Sequence, residues 1–214
     1  MLAAFFRSRF GLTFFTIILA VCGSLPLVFG LPRESIAATA ALAGTAVLLF
    51  AALPLTIIKY VYKEEASAYG WRLPENNKKA LLATLLVLLP HLLLAFYLSH
   101  NTSFQEFYDG KNTTVLYFLI IAVVLPAFYF VAEEFLFRGF LLFTLWNKYR
   151  YAGVALNIAL FALLHISKPP LEIGFAVVSG ALLCWLALTT KSFVPAAVVH
   201  FATALMLNAL IAFA

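Results

Sequence analysis

The chain has 214 residues and a formal net charge of +5; 64% of its residues are hydrophobic, 11% are charged, and the mean hydropathy is +1.02. Soluble domains average about 45–50% apolar and about 25% charged residues, so an ordinary water-soluble enzyme and a disordered chain are both excluded. The basic residues stand at the ends of apolar segments and not on one soluble face, which argues against a nucleic-acid partner and for a role in membrane orientation.

Seven apolar segments follow in order: residues 10–30, 36–62, 79–99, 114–146, 152–166, 171–190 and 193–214. At roughly 20 residues per crossing they predict an all-α, polytopic membrane helix bundle of seven helices. Leu, Ala and Phe dominate without two-residue alternation, which disfavours a transmembrane barrel. Arg7 and Arg9 precede an apolar stretch longer than the core of a signal peptide, so the first segment is read as a retained span. The whole chain, 1–214, is read as one integral membrane domain, with N-terminal helices over 1–110 and catalytic helices over 111–214. Cys22 and Cys184 lie inside apolar stretches and predict no disulfide.

The third segment carries Pro90 and His91, and the backbone freed by the proline offers that histidine a local partner; His100 is read as solvated. The fourth segment, as one helix, would be about 49 Å long against a hydrocarbon core of about 30 Å, so it must tilt, bend or break. Gly139 is the expected break, and a half-span added there would make eight helices. In the sixth segment Ala176, Gly180 and Cys184 form a small-residue stripe suited to close helix packing. Trp71, Trp146 and Tyr149 stand at segment ends as interfacial anchors.

Charge sets the expected orientation. With the N-terminus cytoplasmic, Arg7, Arg9, Lys59, Lys63, Arg72, Lys78, Lys79, Lys148, Arg150 and Lys191 fall inside, and Arg33, Lys111 and Lys168 outside. The expected location is a prokaryotic inner membrane, with the C-terminus outside. Asn-x-Ser/Thr triplets at Asn101 and Asn112 fall in the expected external loop, but such triplets are common and carry little.

A polar count of the spans singles out Glu133, Glu134 and Arg138 in the fourth segment, His165 near the end of the fifth and His200 in the seventh. Such groups cost a few kcal/mol at mid-bilayer, and they usually face the bundle interior with partners. Glu134 and Arg138 are four apart and can pair along one helical face, whereas Glu133 points about 100° away. Convergence of His165 and His200 on Glu133 would assemble a general base, a second proton-handling group and a donor for an oxyanion. Counted from the cytoplasmic ends of their segments, Glu133 and His165 lie about 21 and 20 Å deep, and His200 about 12 Å, so the third needs helix tilt.

These residues resemble a known family. Glu133-Glu134-Phe135-Leu136-Phe137-Arg138 has the E-E-x-x-x-R form of the CAAX-protease and bacteriocin-processing family of intramembrane endopeptidases, Phe161-Ala-Leu-Leu-His165 has its F-x-x-x-H form, and His200 opens its third motif. The resemblance covers roughly residues 115–208. It implies a glutamic-type peptide hydrolase in which Glu133 and His165 activate water and His200 supports the oxyanion, with Glu134, Arg138 and Phe161 in support. It also implies a membrane protein or peptide substrate with a C-terminal hydrophobic or lipidated tail. The third motif departs from the pattern: Ala204 stands where the family has Asn or Asp, and Thr203 is the nearest hydroxyl that could substitute. Asn208 and Asn157 lie too far along their helices to be better candidates.

Other readings stay open. His165 can be a helix cap beside Ser167 and Pro169, and Phe161 can be plain core. Two Glu and two His would suffice for zinc, but no H-E-x-x-H pair is present, so a site without cofactor or metal is preferred. Two functional alternatives remain: a weak or inactive family homologue serving as a membrane chaperone, immunity or scaffold protein, and a small proton-coupled transporter.

Overall fold

The computed structural model describes residues 8–30, 35–108 and 114–213, so the calls on Arg7, Arg33, Lys111 and Asn112 lie outside the described residues. Among those described there are helices and no strand. In chain order they are α1 (Arg9–Gly30), α2 (Ile36–Tyr62), α3 (Asn77–Ser99), the short α4 (Thr102–Phe107), α5 (115–149), α6 (151–164), α7 (Pro170–Thr190) and α8 (Val194–Ala212). Five apolar helices have membrane-crossing length: α2, α3, Val115–Leu164, α7 and α8; Gly11–Gly23 in α1 is a shorter apolar helix. The chain is therefore an all-helical integral membrane protein.

Local chemistry fixes several helix starts. Asn76 Oδ1 accepts from the Lys79 backbone N–H (2.9 Å) at α3, and Asn101 Oδ1 from that of Ser103 (3.0 Å) at α4. The Asn-x-Ser at Asn101 thus has a structural reason as a helix cap. Pro170 and Pro195 stand in the first turns of α7 and α8, where a missing N–H costs nothing.

The long fourth segment does not break at Gly139. It widens instead into π-helical turns over Phe135–Leu141 and runs on. A Cβ on Gly139 would meet Phe135 Cδ2 at 2.6 Å and the Tyr69 carbonyl at 2.9 Å, so the glycine admits a neighbouring turn and the helix does not end there. Gly139→Ala is expected to destabilise by about 1–3 kcal/mol through overpacking, read as a lower melting temperature in detergent. The reversal comes at Arg150 (φ 46°, ψ −121°), where the polar run 147–150 interrupts the apolar pattern. Gly153 then lies against Leu145, whose Cβ would sit 2.7 Å from an added methyl, and α5 and α6 form a hairpin almost without a loop.

Helix α5 is central, packed on by α1, α2, α7 and α8. Helix α3 lies along α8 in two apolar layers: Val87 with Ala196 and Val199, then Ala95 and Leu98 with Leu207. The small-residue stripe of α7 faces the α5–α6 hairpin, since a Cβ on Gly180 would lie 3.4 Å from Phe161 and 3.5 Å from Arg138.

Arg9, Arg72 and Lys191 gather at one end. There Arg9 pairs with Glu64 (2.6 Å), Arg72 Nε donates to the Lys191 carbonyl (3.1 Å), and Lys191 reaches Glu75 (3.5 Å). Glu64 also accepts from the Tyr69 hydroxyl (2.6 Å); that bond, then the Arg9 guanidinium, holds its carboxyl below the usual range against the opposing effect of partial burial. A lowered folded-state pKa contributes stability that is complete above the ordinary glutamate value and is lost as pH falls through the folded one. Melting temperatures are therefore expected to fall more steeply with acid below about pH 4.5 in the wild type than in Glu64→Gln.

Candidate active site

The fold brings the intramembrane ionisable residues together. Arg138 Nη1 donates to Glu134 Oε1 (3.0 Å), the i,i+4 pair expected from the sequence, and both side chains are wholly buried. The same carboxylate oxygen meets His200 Nδ1 at 2.7 Å, and Glu133 Oε2 lies 3.6 Å from that nitrogen. Glu133 Oε1 accepts from the Tyr129 hydroxyl at 3.4 Å. Helix α8 thus reaches the carboxylate pair despite the shallower depth counted for His200.

A cavity of about 370 Å³ opens beside this cluster. Glu133, Phe161, His165, His200, Thr203 and Ala204 all line it, whereas Glu134 and Arg138 stand behind its wall. The angular offset between adjacent glutamates on one helix produces that division: one faces the cavity, and the other is consumed by its partners.

His165 both caps α6 and faces the cavity. Its backbone N–H bonds back to Ala162 (3.0 Å), and its Nδ1 meets the Phe161 carbonyl at 3.0 Å. A carbonyl can only accept, so Nδ1 carries the proton and Nε2 of the neutral ring keeps its lone pair. The ring stacks with that of His200, centroids 6.3 Å apart. Phe161 joins the parts: the Arg138 guanidinium lies 3.8 Å over its ring, and the His165 and His200 rings are 4.7 and 5.6 Å away. Its core position and its place beside the site are one and the same.

Thr203 lines the cavity, but its hydroxyl donates to the Val199 carbonyl (2.7 Å), which engages its one hydrogen. Asn208 also reaches the cavity and donates to the Ala204 carbonyl (2.7 Å). Asn157 is a fastener, donating to the Phe137 carbonyl (2.6 Å) and accepting from Cys184 Sγ (3.4 Å).

Ligand atoms of Glu133, Glu134 and His200 lie within 4.8 Å of one another, a spacing that a metal could use. His165, which the zinc alternative required, is not in that group. The shared Glu134 oxygen already carries a guanidinium at 3.0 Å, and a divalent cation there would be held against a fixed positive charge.

Sequence reasoning missed three contributors. Tyr129, which donates to Glu133, lies one turn before it. His91 was assigned a purely local role, yet it lines the cavity from α3. At the mouth, Lys168 Nζ donates to the Tyr108 hydroxyl (2.7 Å), which donates to Glu172 (2.8 Å). Only its place on a helical apolar face could have marked Tyr129, and the mouth cluster joins residues 60 and 64 apart in the chain.

Residues 111–206 match the family model described as type II CAAX prenyl endopeptidase Rce1-like. This stretch is similar to that family. The matched stretch contains all the motif residues, from Glu133 to Ala204, and the family it matches agrees with the resemblance read from the three motifs. His91 and Tyr108 lie outside it. Comparisons with curated proteins and with solved structures yield no significant match.

Proposed function

We propose that the protein is a metal-free, glutamic-type intramembrane endopeptidase. The observation that carries this reading is that Glu133, His165 and His200, from three helices, line one cavity while Arg138 holds Glu134 behind it. A water between Glu133 and His165 gives its proton to the carboxylate, and its oxygen attacks the peptide carbonyl. The imidazolium form of His200, fixed through Nδ1 by Glu134, donates from Nε2 to the resulting oxyanion. Collapse breaks the C–N bond, and the proton held by Glu133 passes to the departing amine. The wall behind the site excludes bulk water and keeps these interactions strong.

On this reading the chain crosses the membrane seven times, counting α1 and both arms of the α5–α6 hairpin. The basic end is cytoplasmic by the positive-inside rule, and the cavity then opens toward the outer half of the bilayer. That placement favours an exported or membrane-anchored protein with a hydrophobic or lipidated C-terminal tail over a cytosolic prenylated one.

A second reading, a homologue with little activity that serves as a partner or chaperone, draws on α8, where Ala204 offers no donor and the Thr203 hydroxyl is engaged. One experiment separates the two. Purified protein in liposomes receives a transmembrane reporter with an outer tail, and in parallel a prenylated peptide. Cleavage that persists with a strong chelator and is lost in Glu133→Gln supports the protease. Intact reporters under every condition favour the second reading.

A further inference from the structure

The cavity wall contributed by α8 is apolar or saturated at one level. Ala204 has no polar side-chain atom and Thr203 donates to Val199, while Asn208, one turn further on, gives one of its two amide hydrogens to the Ala204 carbonyl. The packing of α3 on α8 shows what stands opposite. Val87 shares a layer with Val199, and Ala95 shares the next with Leu207, a constant offset along two helices running the same way. One turn past Val87 and one turn before Ala95 is His91, which that offset puts level with Thr203 and Ala204.

His91 is buried, lines the cavity, and lies within electrostatic range of His200 and Glu134. Its Nδ1 meets the Val87 carbonyl at 2.7 Å, which places the ring proton on Nδ1 and leaves Nε2 as an acceptor. Nε2 is buried without a protein partner. Buried polar atoms are nearly always satisfied, and beside a cavity that also holds Glu133, His165 and His200 the remaining partner is water.

We propose that His91 is a positioning residue of the hydrolytic site: through Nε2 it holds a water that faces the substrate carbonyl at the level where α8 presents only Ala204. That water gives one hydrogen to Nε2 and directs the other at the developing oxyanion, a bridged bond nearly as favourable as a direct one. The ring is tied to its own helix by Nδ1 and so presents Nε2 in a fixed direction, which spares reorganisation during the reaction. This rests on the endopeptidase reading.

The test compares wild type, Glu133→Gln, His91→Phe, His91→Gln and the double variant His91→Phe/Ala204→Asn on the transmembrane reporter in liposomes. Loss of one oxyanion donor typically costs about 10²–10³ in rate, and a water-bridged one should cost about 10–100-fold. His91→Phe is therefore expected to lower kcat by about that factor with KM within about twofold. His91→Gln, which can still hold a water, is expected to retain more activity. Ala204→Asn, placing an amide donor on the facing helix, is expected to raise kcat of His91→Phe at least several-fold. A merely structural histidine predicts no such rescue. Unchanged kcat in His91→Phe, or an equal loss in both His91 variants with no rescue, overturns the proposal while leaving the Glu133 assignment intact. Absence of Glu133-dependent cleavage by the wild type overturns the endopeptidase reading, and this inference with it.

Discussion

Glu133→Gln is expected to lower the rate of peptide cleavage by about 10²–10⁴-fold, the usual contribution of a positioned general base. Glutamine keeps the size of the side chain and an oxygen that can accept from Tyr129, so the fold and KM should change little while kcat falls. Removing a carboxylate from a buried site that already holds Glu134 should leave the melting temperature unchanged or raise it. The conjugate variant Glu134→Gln should behave differently, because Glu134 sits behind the cavity wall between Arg138 and His200. Its loss weakens the grip on both partners and is expected to appear in stability as well as rate. Single-turnover kinetics and thermal unfolding on the same preparations check both. A rate loss confined to Glu134→Gln, with Glu133→Gln fully active, would reverse the assignment of base and support.

The second large effect is one of stability. Arg138 is wholly buried, paired with Glu134 at 3.0 Å and laid over Phe161 at 3.8 Å. Removing one member of a buried ion pair typically costs about 3–5 kcal/mol, because the carboxylate left behind has no water and keeps only His200 as a partner. Arg138→Met keeps much of the volume and removes the charge, so a loss of that size, seen as a marked fall in melting temperature in detergent, is attributable to the ion pair. The double variant Arg138→Met/Glu134→Gln is expected to recover a substantial part of it, since no uncompensated carboxylate remains. A double variant as unstable as Arg138→Met alone would show that the guanidinium acts by packing on Phe161.

Much of this architecture was legible in the sequence, for a physical reason. Water-free surroundings tolerate few charges, so Glu133, Glu134, Arg138, His165 and His200 stood out against an apolar background, and helical periodicity alone separated Glu133 from the Glu134–Arg138 pair. The helical segments were legible from apolar run length. What stayed hidden depended on contacts distant in the chain. Gly139 looked like a hinge because glycine weakens helices, yet its missing side chain admits the Tyr69 carbonyl. His91 looked local because its Nδ1 partner is local; its other nitrogen acquires meaning only when α3 lies along α8. Helix count was the least legible quantity, since α6, over 151–164, is shorter than a simple crossing in a way that composition does not encode.

The reversal at Arg150 has a mechanical consequence. With α5 and α6 folded back almost without slack, and Asn157 fastening α6 to both the Phe137 carbonyl and Cys184 of α7, the helices bearing Glu133 and His165 form one stiff jaw. The tether from Lys168 through Tyr108 to Glu172 is, by contrast, a clasp of side chains at the mouth. On the endopeptidase reading, a bulky polypeptide that enters displaces the clasp and α4 rather than spreading the jaw. On that reading the site is a vice with one fixed and one yielding side, which takes its substrate without disturbing the alignment of its reactive groups.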